Sequence, residues 1–529
     1  MKNNRSFFLL CLSLSVILGL LVRIPYFLTY DFALNDGALF VQMSEAIRSN
    51  GYILPETVVY NRTEIPFAYP PLSFYFVAFL TDLFELNVLD VVRYMPLFFN
   101  ILSICIFVLL ASQLIKSQVI FLYTCLFFPL MPRSYEWLIM GGGVTRSVGC
   151  FFALLAAYQA TRILAKSDTR PFIYCLLFLS LTVLSHLEWG ITGVVTVSLI
   201  ILSKQFSKRR VGLIITLGVV VLVLTSPWWI TILARHGLYP FTAASKTSEW
   251  YLFKFENIPL AWIMFDDGLG GPLSVLALIG CCLSFAKKDW FLPVWLFAIF
   301  VTTPRHGPTP AAMPLAILAS IGLAQFLLPS LMQVALFIKN RFNSAKVARA
   351  MPRNTFSQRL LPSRVVFSGV VSVICILILH KTYYAAHTPL VALTGSERSA
   401  MTWIEQNTPD RSEFIVLSRS FSWEDDRVAE WFPVLSGRKS LTTAQGLEWI
   451  PGNVFLSKVE SILKLKHYQV LEDNALVKYV ESQYDSFQYV AVFIPHIVPN
   501  YGGFVESGKY RTVYATDSVL VFGKNELHV

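Results

Sequence analysis

Apolar segments recur along this chain at 7–28, 94–114, 117–131, 147–165, 171–186, 189–203, 211–233, 271–286, 290–303, 311–328 and 365–384. A bilayer-spanning helix needs about 20 mainly apolar residues, so these read as spans, and the shorter ones must have edges beyond the ranges given. Lys and Arg cluster in the intervening loops at 166–170, 204–210, 287–288 and 339–364. Positive loops stay in the cytoplasm, which places them on the same side as the N-terminus and turns every alternate loop outward. A sequence that is 55% hydrophobic and 14% charged, with a mean hydropathy of +0.57, is excluded from the ordinary soluble class. The net charge of +10 therefore reports orientation, not nucleic-acid binding. All eight cysteines sit in apolar segments, so neither a disulfide framework nor a zinc spacing is offered. Residues 7–22 follow Lys2 and Arg5 as a signal peptide would, but Arg23-Ile24-Pro25-Tyr26 provides no small-x-small cleavage site. The segment reads as an uncleaved first span.

Parity decides the helix expected at 71–84. If it crossed the bilayer, every later basic loop would face outward, so it is expected to lie at the interface. The fold class is a polytopic α-helical membrane protein with about eleven transmembrane helices. It has a large first extracytoplasmic loop (29–93) with juxtamembrane helices, shorter outward loops at 132–146, 234–270 and 303–310, and a small C-terminal extracytoplasmic α/β domain. The domains are 1–388, membrane-embedded, and 389–529, soluble. In the latter, 396–406, 425–435, 454–465 and 474–482 read as helices, and 414–417, 489–494, 510–514 and 518–522 as strands.

The stretch from Asp31 to Leu72 carries acids, aromatics and a Pro-Pro step. Asn35-Asp36-Gly37 opens an amphipathic helix with Leu39, Phe40, Met43 and Ile47 on one face and Gln42, Glu45 and Arg48 away from it, and Asn50-Gly51 ends it. Pro70 and Pro71 suit the first turn of a second helix. Asp36 could be a general base for a hydroxyl acceptor, or an acid that merely complements the helix dipole. Asp31 competes for the same role nearer the membrane exit.

On the outward side, Arg133 and Arg146 bracket Glu136 and Gly141-Gly142-Gly143, and Arg305-His306-Gly307 sits where span 290–303 emerges. Arginines there either grip a lipid phosphate or snorkel to headgroups. His186 and Glu188 could contact a substrate or metal, or satisfy each other at a hairpin. Asp266-Asp267-Gly268 reads as a solvated turn. Trp423, Trp431 and Trp449, among Glu430, Gln445 and Glu448, suit sugar binding or a core. No nucleotide-binding or hydrolase motif occurs in a supporting context.

One span, then DGALFVQMSEAIRSNGYILP at 36–55, then Tyr69-Pro70-Pro71-Leu72, many further spans and an outward soluble domain resemble the polyprenyl-phosphate-sugar glycosyltransferases of GT-C type. That group includes protein O-mannosyltransferases and lipid A aminoarabinose transferases. The resemblance implies catalysis by Asp36 as base. This chain departs from the pattern twice: Gly37 stands in place of the family's second acid, and Tyr69 in place of the lysine before Pro-Pro. Donor phosphate contacts are then expected from Arg146, Arg305 and Tyr69, and acceptor or sugar contacts from Glu136, His186, Glu188 and His306. The implied reaction moves a sugar, with inversion, from a polyprenyl-phosphate carrier to a hydroxyl of a glycan, lipid or protein, with no cofactor and no metal. The implied setting is the plasma (inner) membrane, with the N-terminus cytoplasmic and the C-terminal domain outside. A transporter or flippase of lipid-linked sugars is the alternative, although neither internal repeats nor paired broken helices are visible.

Overall fold

The computed structural model describes residues 5–333 and 390–525, apart from 164–168, 204–205, 248–269, 304–306, 421, 425, 470–472, 485 and 494–500. Helices α1 (Arg5–Thr29), α2 (Ala38–Ser49), α3 (Leu72–Phe84), α4 (Val88–Leu114), α5 (Gln118–Leu130), α6 (Glu136–Ile139), α7 (Gly143–Ile163), α8 (Arg170–Ser185), α9 (Leu187–Leu202), α10 (Lys208–His236), α11 (Tyr239–Thr247), α12 (Gly270–Ala286), α13 (Phe291–Thr302) and α14 (Pro308–Gly322) form the first part. Every expected span from 7–28 to 311–328 meets one of these helices, and 365–384 lies outside the described residues. Among the described residues, four helices are long and apolar enough to cross a membrane: 5–29, 88–114, 208–236 and the α14 helix continued to 333.

Local sequence explains several helix starts. The side chains of Asn87, Ser117 and Ser207 accept from Leu89 N, Ile120 N and Arg210 N, satisfying amides that a helix leaves open. Small residues set the packing: α7 buries Gly149, Ala153, Ala156, Ala157 and Ala160 against α4, α8 and α9. Close backbone approach of this kind holds helices together where apolar burial alone gives little between them. Arg23 is fully buried without a carboxylate partner among the described residues. Its Nε donates to Asn100 Oδ1 (2.6 Å), Nη1 to the carbonyls of Pro129 (2.8 Å) and Gly19 (3.0 Å), and Nη2 to Ser134 Oγ (3.1 Å). It also stacks on Tyr135 at 4.6 Å, and so fixes the turn that leads into 136–142.

Two sequence expectations change here. The polar link after α2 is a hairpin, β1 (Thr57–Tyr60) with β2 (Thr63–Pro66), paired from Thr57↔Pro66 to Tyr60↔Thr63. The second and fourth spans begin earlier than expected, at Val88 and Gly143, so Arg146 lies in the first turn of α7 and not in a loop.

The C-terminal part contains α15 (Gly395–Asn407), β3 (Glu413–Ser418), α16 (Arg427–Ser436), β4 (Lys439–Ser440), α17 (Val454–Gln469), α18 (Asp473–Gln483), β5 (Tyr489–Phe493), α19 (Gly502–Glu506), β6 (Tyr510–Ala515) and β7 (Val519–Lys524). The sheet runs β4-β3-β5-β7-β6, with β3 parallel to β4 and β5, and β7 antiparallel to β5 and β6. Alternation along β3 separates two cores. Ile415 and Leu417 join Leu465, Val477 and Val480 on one face. Phe414 and Val416 join Trp431 and Phe432 on the other, and that core continues through α2 into the helical bundle.

Candidate active site

Residues 34–37 are held from two sides. Leu34 forms an antiparallel bridge with Ala392, Asn35 N donates to Val391 O (2.8 Å), and Asn35 Oδ1 accepts from Val391 N (3.0 Å). The carbonyls of Leu34 and Asn35 accept from Gly141 N and Trp431 Nε1, each at 2.9 Å. Pinned in this way, Asp36 meets the 141–146 segment. Its Oδ1 accepts from Gly142 N (2.8 Å) and its Oδ2 from Arg146 Nη2 (2.6 Å), while the Arg146 guanidinium lies over the Trp137 ring at 4.8 Å.

Glycine is required on both sides of this contact. Gly37 has φ +120°, a conformation that a side chain strains, and a Cβ there would stand 2.9 Å from the Gly141 backbone. A Cβ on Gly142 would stand 2.3 Å from Asp36 Oδ2. The departure at Gly37 from the expected pair of acids is therefore a backbone requirement.

Asp36 does not cap α2. Gly37 is the N-cap and has no side chain to offer, so the open amides of Gly37 and Ala38 donate to Glu430 Oε1 instead, at 2.9 and 3.1 Å. Glu430 is supplied by α16. Tyr60 of β1 donates to its carbonyl at 2.6 Å, and the N-cap of α16, Asp426, is ion-paired with buried Lys466 at 2.7 Å. Burial, and then the charge of Asp36, push the Glu430 carboxyl up to about 8, against the pull of the backbone amides.

Asp36, Arg146 and Glu430 line a cavity of about 300 Å³ between the helical bundle and the C-terminal part. Tyr69, His186, Glu188, Phe40, Trp228 and Phe241 also line it, and Trp423, Gln445, Glu448 and Trp449 come from the C-terminal part. Tyr69 meets Phe40 edge-on at 5.2 Å and His186 and Trp449 at 6.1 Å, and burial pushes its phenol up to about 12. Burial also raises the Glu448 carboxyl to about 7. Among the described residues, Arg146 Nε, Trp228 Nε1 and Glu448 Oε2 are buried with no hydrogen-bond partner. Leaving such atoms unpaired costs stability, so this wall is not built for stability alone.

No family model matches the sequence, and no curated protein matches it. Solved structures do. ArnT from Cupriavidus metallidurans, bound to undecaprenyl phosphate, aligns at TM-score 0.55 and 16% identity over 96% of this chain and 97% of that one. The archaeal oligosaccharyltransferase AglB from Archaeoglobus fulgidus, in complex with an inhibitory peptide and a dolichol-phosphate, aligns at 0.54 and 13% over 98% and 74%. This chain has the GT-C fold. Identities this low carry the fold and leave the chemistry to the residues.

Within the GT-C frame the site residues expected from sequence separate. Asp36, Tyr69, Arg146, His186 and Glu188 come together on the cavity wall. His186 also caps α9, its Nδ1 accepting from Trp189 N at 3.4 Å. Asp31 does not join them: its side chain is 74% exposed and is paired with Arg398. Glu136 is buried at the start of α6 and is not among the lining residues. Arg305, His306 and Asp266-Asp267-Gly268 lie outside the described residues. The three tryptophans divide, with Trp431 fully buried in the core and Trp423 and Trp449 on the wall. Among the described residues no three His, Cys, Asp or Glu side chains are grouped to hold a metal ion. The role of Glu430 at Gly37 was invisible in sequence, because no local pattern joins residues 393 positions apart.

Proposed function

We propose that this protein transfers a sugar from a polyprenyl-phosphate carrier to a hydroxyl acceptor at the extracytoplasmic membrane face. The observation that carries the reading is the Asp36–Arg146 pair on the wall of a cavity in a GT-C fold. Asp36 takes the acceptor proton as the hydroxyl oxygen attacks the anomeric carbon. The bond from that carbon to the phosphate oxygen breaks, its electron pair leaves with the phosphate, and the configuration inverts. Arg146 turns its remaining N–H groups to the phosphate and offsets the charge that grows there. Tyr69, Trp423 and Trp449 supply the aromatic surface that a sugar ring stacks against. A cavity of about 300 Å³ is at the lower end of the roughly 300–1,000 Å³ of small-ligand sites, enough for a sugar phosphate with its lipid outside.

In this reading the basic loops are cytoplasmic, α3 lies along the outer membrane surface, and residues 389–529 form the extracytoplasmic domain that closes the site. ArnT with undecaprenyl phosphate and AglB with dolichol-phosphate support a carrier of this class. The test is sugar transfer by the purified protein in lipid nanodiscs, from a panel of polyprenyl-phosphate sugars to glycan, lipid and peptide acceptors. Transfer that requires Asp36 supports the reading. Movement of intact lipid-linked sugar across a bilayer, with no transfer from any donor, would replace it with a flippase.

A further inference from the structure

Helix α2 begins beside Asp36 yet carries no side chain able to close its own N-terminus: Gly37 occupies the N-cap, and Asp36 is turned away toward Gly142 and Arg146. Glu430 closes it instead, one oxygen accepting from both Gly37 and Ala38. We propose that Glu430 is a positioning residue for Asp36, so that the reactive turn is completed only when the C-terminal part docks on it. The inference rests on the glycosyl-transfer reading of the Asp36 site.

The arrangement has little slack. Tyr60 holds the Glu430 backbone, Trp431 next to it holds the Asn35 carbonyl, and Asp426, locked by Lys466, starts the helix that carries both. Consecutive residues 430 and 431 thus fix the chain on either side of Asp36. If this grip were released, Gly37, with φ +120°, would be free to rotate, and Asp36 would lose its aim at the cavity. The groups facing Glu430 are Asp36, with Arg146 behind it, Tyr60 of β1 and Glu448 across the cavity wall. Burial, and then the charge of Asp36, favour the protonated form of Glu430, so its hold on the two amides does not depend on a negative charge at 430. A glutamine of the same shape, with an amide oxygen that still accepts two N–H bonds, therefore preserves the device. Alanine removes it, and aspartate, one methylene shorter, cannot reach both amides.

The experiment compares Glu430→Ala, Glu430→Asp and Glu430→Gln in the full-length protein in nanodiscs. One arm measures amide hydrogen exchange over residues 31–43. The other measures transfer kinetics with undecaprenyl-phosphate sugars. Faster exchange at Gly37 and Ala38 is expected in the Ala and Asp variants and not in Gln. The same two variants should lose about 10- to 100-fold in kcat, the scale of an ~1 Å misplacement, with donor KM changed by less than about threefold. If Glu430→Ala does not fold, Glu430→Asp carries the comparison. Unchanged exchange in both short variants overturns the proposal. So does a Gln variant as impaired as Ala with a flattened pH profile, because Glu430 would then carry a proton and not a position. Absence of transfer in the parent would retire the reaction while the exchange arm still decides whether Glu430 holds this turn.

Discussion

Arg146 Nη2 stands 2.6 Å from Asp36 Oδ2, across 110 residues of chain, and this contact merges the two roles that sequence assigned separately. The candidate base and the candidate phosphate ligand are one ion pair.

Asp36→Asn is expected to fold normally, because Asn keeps the shape and an acceptor for Gly142 N, and to lose transfer by about 10²–10⁴-fold, the range for removal of a positioned general base. Initial rates in nanodiscs check this, with Asp31→Asn alongside. Asp31 is exposed and outside the cavity, so its variant should keep near-parental rates. The reverse pattern would move the base to Asp31.

Arg146→Lys should raise the apparent donor requirement even though the charge remains. An ammonium cannot hold Asp36 and a phosphate with the fixed fork of a guanidinium. The expected loss is about 1.5–3 kcal/mol in kcat/KM, the worth of one charge-assisted hydrogen bond. A titration with undecaprenyl-phosphate donor at fixed acceptor measures it. Unchanged donor dependence would place the phosphate elsewhere, with Arg305 the next residue to replace.

Gly142→Ala tests the contact from the other side. A methyl group there would sit 2.3 Å from Asp36 Oδ2 and 2.5 Å from Arg146 Nη2, so the pair must separate. Activity should fall as in the Arg146 variant, with a stability cost of about 1–3 kcal/mol for overpacking. An active Gly142→Ala enzyme with parental donor affinity would show that the pair is dispensable.

Glu448 makes the stability depend on pH. Its folded-state carboxyl titrates at about 7 against an ordinary 4.5, so between these values the folded protein holds a proton that the unfolded chain has released. Stability therefore falls as pH rises from 4.5 through 7, and the whole penalty stands above that, at most on the order of 3 kcal/mol. Glu448→Gln has no such proton to lose. Its melting temperature relative to the parent should rise between pH 5 and pH 8, and a pH-independent difference would contradict the assignment.

The elements of the C-terminal part show how much was legible locally. Thr394 and Glu397 form a reciprocal capping box at α15, and the alternation of β3 is plain in Phe414 to Leu417, so both elements were read within a residue or two of their ends. The hairpin at 57–66 was missed, because two short strands in a polar stretch give little periodicity and are held by distant partners. Asn61 exchanges hydrogen bonds with Ser440, at 2.8 and 2.7 Å.

Apolar segment length and amphipathic spacing act within a few turns of chain, and by themselves they determined most of the membrane-part helices and the start and stop of α2. The partners of Asp36 were a different matter. Gly142, Arg146 and Glu430 reach it only because helix packing and the docked sheet bring chain segments more than a hundred residues apart within hydrogen-bond distance. The tertiary structure also set Asp36 apart from Asp31 by its surroundings, since burial and contact, which no local pattern encodes, put one on the cavity wall and left the other largely exposed beside Arg398.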